Sequence, residues 1–189
     1  TTGDDSSAAF TSSVTNALVT NPTLYACTNG FITDSATFTA FTNTALPVAG
    51  VNFGLFPNWD DLYIDTALVP PGSLVHQAVV ENGVNVEIIQ WNLARTFVTQ
   101  TPVTQGSFQV KIFGSGPVLA QYIYQNMGWD WNGNSSTVGV QWGALGTLSL
   151  QATPSSRLGL TVLFTQNSDK EARVFEGYSL AADRDVFYT

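Results

Sequence analysis

The chain has 189 residues, enough to bury a core without disulfide or metal staples, and one domain is the length-based expectation. Six Lys plus Arg against fourteen Asp plus Glu leave a net charge of −8, with charged residues at only 11 %, so no basic surface exists to neutralise phosphates and nucleic acid is excluded as a partner. One cysteine, one histidine and one methionine exclude an intrachain disulfide and leave too few soft ligands for zinc or an iron–sulfur centre.

Thr1 to Ser7 are small and polar and no apolar run reaches 18 residues, so neither a retained signal peptide nor a membrane span is expected. Helix signals are thin: Ser6 to Leu18 and Asp169 to Ala182 would carry a turn or two at most. Leu24-Tyr25-Ala26-Cys27 is a strand-like apolar run, in which a free thiol behaves as a small hydrophobe. Val84 to Trp91 and Val118 to Tyr124 are the most continuous β segments. Phe108, Val110 and Ile112 alternate with Gln109 and Lys111, which predicts a strand with one apolar and one wet face. Val138, Val140 and Trp142, then Leu160, Val162 and Phe164, repeat that period. Pro70-Pro71-Gly72, Asn82-Gly83, Gly114-Ser115-Gly116-Pro117 and Asn132-Gly133 mark turns, and Asn-Gly is the strongest hairpin signal among them. The pattern predicts an all-β chain, an antiparallel β-sandwich of jelly-roll-like form with little helix. Residues 90–113 and 141–164 share a Gln-Trp start and a closing apolar strand, which either an internal duplication or convergent strand chemistry explains.

Several short motifs follow one another in a familiar order. Asn29-Gly30-Phe31-Ile32 comes first, then Thr42-Asn43-Thr44-Ala45-Leu46-Pro47 and Trp59-Asp60-Asp61-Leu62; Ser107 to Phe113 and Ser136-Thr137-Val138-Gly139-Val140-Gln141 complete the series. This succession resembles a β-sandwich domain of secreted and cell-surface proteins of fungi and bacteria, found beside adhesin or protease modules and loosely similar to the nidogen-type domain. The resemblance covers about residues 24–165 of a single domain spanning 1–189, leaving flanks at 1–23 and 166–189. It implies a secreted, non-catalytic accessory or adhesion module at the cell surface, with no catalytic residues attached to the pattern.

Three groups of residues are candidates for chemistry. Asp60, Asp61 and Asp65 crowd three carboxylates into six positions; calcium is the one cofactor such oxygens would hold, though no EF-hand spacing is present, and the alternative is Asx capping of the loop. Trp129, Asp130, Trp131, Asn132 and Asn134 set two indoles beside side chains able to grip hydroxyls in pairs, the chemistry of a sugar site. Asn134-Ser135-Ser136 is also an N-glycosylation acceptor, and a glycan on Asn134 would compete with such a site. His76 lacks any nucleophile context, and Glu81 and Glu87 are separated by the Asn82-Gly83 turn, so no enzyme is expected. The sequence-based reading is an extracellular binding or adhesion module with a glycan or other cell-surface ligand. The alternatives are a surface-assembly protein that forms homo-oligomers through sheet edges, or a secreted glycosidase-like enzyme.

Overall fold

The computed structural model describes residues 2–97, 105–126, 136–142, 146–150, 160–166 and 172–178, and places thirteen strands and no helix among them. One sheet of six strands runs in the order β1 (Ser7–Thr11), β2 (Thr23–Cys27), β3 (Phe31–Thr33), β4 (Phe53–Trp59), β10 (Thr137–Trp142), β11 (Gly146–Leu150). The other runs β13 (Ala172–Tyr178), β12 (Leu160–Gln166), β9 (Val118–Asn126), β8 (Gly106–Phe113), β7 (Val84–Thr96). Two strands share the far side of β7: β6 (Ser73–Glu81) beside residues 84–92, and β5 (Leu62–Tyr63) beside Arg95 and Thr96. Every pairing is antiparallel, and one of the two sheets curls into a half-barrel. The architecture is the sandwich that the alternating segments predict.

The β7, β8, β9, β10 and β12 segments lie where the sequence puts them, and Asn82 and Gly83, at φ 51 and 80, close the two-residue β6–β7 hairpin. Both thin helix signals form strands instead. Ser7–Thr11 becomes β1 because it can pair residue for residue with Thr23–Cys27, and 172–178 becomes β13 against β12. The two Gln-Trp segments part company as well. Trp91 and Phe108 stand opposite each other on paired strands of one sheet, whereas β10 and β12 belong to different sheets, so no structural duplication underlies the match.

Between the sheets lies a core built from Leu24, Ile32, Leu55, Val138 and Val140 on one side and Ile89, Trp91, Phe108, Val110 and Tyr122 on the other. Three side chains of the second sheet end on backbone atoms of the first. Tyr122 Oη donates to Gly139 O (2.8 Å) and accepts from Phe56 N (3.1 Å), filling the place where the β4–β10 register shifts. Tyr124 Oη donates to Pro57 O, and Trp91 Nε1 donates to Cys27 O at 2.9 Å.

The opposite face of the first sheet is not wet. Cys27, Phe31, Phe56 and Trp59 form a second core with Phe38, Leu46, Val48 and Val51 from residues 34–52, so every residue of β4 is buried. That is why Phe53–Trp59 lacks a two-residue alternation. The expected wet face of β8 is corrected in the same way: Gln109 and Lys111 are buried, because Gln90 accepts from Gln109 Nε2 at 2.8 Å and Glu81 accepts from Lys111 Nζ at 3.0 Å.

Candidate functional site

The motifs that carry the resemblance converge. Gly30 sits at φ 78, and a Cβ there would meet Asn58 O at 2.2 Å, so only glycine lets β3 approach the end of β4. Buried Asn29 accepts from Leu62 N (3.0 Å) and donates to Asp5 Oδ1 (2.7 Å) and Thr39 O (3.1 Å). Trp59 Nε1 donates to Ala40 O at 2.8 Å, with Phe31, Phe38 and Phe56 around its ring. Gln141 clasps Val48 through both its N–H and C=O, and Thr137 Oγ1 donates to Thr44 O at 2.9 Å. The recurring words therefore hold residues 34–52 against the sheet; they are pins of the third layer rather than a lining of polar groups.

Around this junction the structure separates the three predicted metal-ligating carboxylates. Asp60 Oδ1 accepts from the amide of the next residue, Asp61, at 3.0 Å. Asp65 is buried, accepts from Ala67 N (2.9 Å) and pairs with Arg95 at 3.0 Å, while the guanidinium lies 4.9 Å over the Tyr63 ring. Asp61 turns instead toward Asp4 and Asp5, whose carboxylate oxygens lie with its own inside 4.8 Å. Burial, then the charges of Asp4, Asp5 and Asp60, raises the carboxyl of Asp61 above the usual range. Asp4 is raised by burial and then by Asp5, against an opposing backbone hydrogen bond. A hard cation is the ligand such a set would take, and three carboxylates are about half of calcium's usual oxygen complement. Sequence reasoning missed Asp4 and Asp5. They are brought here by the Gly3–Ile64 bridge, and a contact across some sixty positions leaves no local pattern.

A second cluster lies at the β6–β7 end of the sandwich. Glu87 points between the sheets and is fully buried; its Oε1 accepts from both the amide and the hydroxyl of Ser13, and its Oε2 bonds His76 Nε2 at 2.6 Å. Burial acts to raise the carboxyl, but the Ser13 bonds and His76 outweigh it, and the group lies below the ordinary glutamate range. The Ser13 hydroxyl is spent on the carboxylate, not on the imidazole, so these residues do not form a nucleophile–base pair. Glu81 faces the opposite side of the sheet and holds Lys111, so the two glutamates do not converge. Cys27 is buried and unpaired, and burial pushes its thiol up to about 12.

The predicted sugar-binding residues Trp129, Asp130, Trp131, Asn132 and Asn134, with the glycan acceptor Asn134, lie outside the described residues. No helix among the described residues is long and apolar enough to cross a membrane.

A three-layered β-sandwich, with polar motif residues pinning residues 34–52 and buried carboxylates held by partners, defines a class of layered all-β domain. Within that class, the family model described as NIDO related matches residues 2–176, and the chain belongs to this nidogen-related family. The match takes in the segment before residue 24, whose β1 and Asp4–Asp5 pair are part of the folded body. Domains of this kind are typically extracellular, and the family is not a known enzyme family. Comparison with curated proteins and with solved structures gives no match.

Proposed function

We propose that the chain is an extracellular, non-catalytic recognition module whose ligand is a glycan held by residues 129–134. Its membership of the nidogen-related family over residues 2–176 carries the extracellular, non-catalytic part of the reading. Support also comes from the chemistry of the described titratable groups, since Glu87, Asp65 and Cys27 are each committed to packing or to a partner. The glycan part rests on Trp129 and Trp131 alternating with Asp130, Asn132 and Asn134, residue types that stack on a pyranose face and bind its hydroxyl rim.

Screening the purified, unglycosylated protein against an array of neutral glycans tests the reading. Binding by the wild type, weakened by about 1 to 3 kcal/mol in Trp129→Ala or Trp131→Ala with the unfolding midpoint retained, is the expected outcome. Absence of binding, or binding indifferent to both substitutions, refutes the glycan site.

A further inference from the structure

Strand β6 is nine residues long, regular in register from Ser73 to Glu81, and among the described residues lies outermost beside β7. The two-residue turn makes Glu81 and Val84 a hydrogen-bonded pair, and such pairs alternate along an antiparallel ladder. Val79 and Gln77 therefore also bond β7, while the N–H and C=O groups of His76, Ala78 and Val80 point away from it. Among the described residues, no backbone bond reaches those outward groups. Natural edges of this length are blunted by lysine, proline or a bulge, and β6 has none of these. Instead it shows Val75 at 40 % and Val80 at 68 % exposure, and its one carboxylate, Glu81, is held by Lys111.

We propose that this edge pairs with β6 of a second copy of the chain, antiparallel about a two-fold axis at Gln77, so that the two copies' seven-stranded sheets become one. The sequence is self-complementary about that point. His76 of each copy faces Ala78 of the other and exchanges both backbone bonds with it, giving four hydrogen bonds beside the axis. Val75 meets Val79, and Glu81 meets the hydroxyl-bearing Ser73, so no two carboxylates oppose each other on chains that each carry a net charge of −8. Sliding the register by two residues one way sets His76 against His76, and the other way sets Ala78 against Ala78 with fewer residues paired. A single nine-residue edge falls at the small end of interface sizes, which makes the dimer a weak, reversible one that copies crowded on a surface would populate.

Sedimentation velocity without saccharide, from low micromolar to several hundred micromolar protein, reads the proposal independently of any glycan. The wild type is expected to shift from monomer toward dimer as concentration rises. Ala78→Pro removes an outward N–H and leaves the β7 ladder intact, and Val80→Lys adds an edge charge. Each is expected to weaken dimerisation about ten-fold or more while keeping the wild-type unfolding midpoint. Should Ala78→Pro fail to fold, Val80→Lys alone decides. A wild type that stays monomeric throughout overturns the proposal, as does a dimer that both variants leave unchanged.

Discussion

Replacing Glu87 by alanine removes an acceptor that ties the N-terminal segment, the β6 edge and the interior of the sandwich to one another. Three donors lose their partner: the Ser13 amide, the Ser13 hydroxyl and His76 Nε2. Hydrogen bonds to a charged group are worth about 1.5–3 kcal/mol each, but the hydroxyl can rotate toward water and the imidazole is 32 % exposed, so most of the cost falls on the amide. Asn16 still anchors the segment through Phe113 O and Leu119 O at 2.8 and 2.9 Å. The expected loss is about 2–3 kcal/mol, that of one to two hydrogen bonds to a charged group. Glu87→Gln keeps the shape and one acceptor and is expected to lose about 1 kcal/mol. Because the folded carboxyl lies below its ordinary value of 4.5, the charge contributes its full stability above that value, and the contribution fades as pH falls through the folded pKa. Urea unfolding monitored by tryptophan fluorescence between neutral pH and pH 3 measures both effects. A loss under about 1 kcal/mol in the alanine variant, or an undiminished acid limb in the glutamine variant, would refute the assigned role.

Other outcomes follow from the same structure. Trp59→Ala empties a site lined by Phe31, Phe38 and Phe56 and orphans Ala40 O, and should cost about 3–5 kcal/mol in equilibrium unfolding; a cost below 1 kcal/mol would place the ring outside the core. Native Cys27 should resist thiol reagents at pH 8 and react only on unfolding, since its thiol is buried and pushed up to about 12. In calcium-free buffer Asp61→Asn should raise the melting temperature by relieving repulsion from Asp4 and Asp5, and millimolar calcium should raise that of the wild type more than that of the variant. Equal calcium responses in the two proteins would count against an ion among these carboxylates.

The strands that could be read from sequence are those with a neighbour in the chain. Asn82-Gly83 announces β6 and β7, and Phe108, Val110 and Ile112 announce the inner face of β8, because turn chemistry and period two are local properties. What escaped reading is what long-range covering decides. Gln109, Lys111, Thr137 and Gln141 look like solvent-facing residues and are buried, since their partners lie on other strands or in residues 34–52. The acidic group was half legible for the same reason: Asp60 and Asp61 stand out as a pair, whereas the arrival of Asp4 and Asp5 depends on a bridge to Ile64. Likewise the family-bearing words were visible as words, but their work as pins for residues 34–52 could be seen only with both ends in place.

Apolar layers resist separation far better than sliding, because a methyl group displaced along a sheet finds another methyl group to touch. The hydroxyls of Tyr122 and Tyr124 and the indole N–H of Trp91 remove that freedom, since each reaches across the interior to a fixed carbonyl on the facing sheet. A slip of one residue, about 3.3 Å, would break all three bonds together and strand their polar atoms in a dry interior. Traction directed along the strands therefore meets a latch of three keys that yields all at once, not a viscous drag, and the body between the two sheets transmits load as a stiff element.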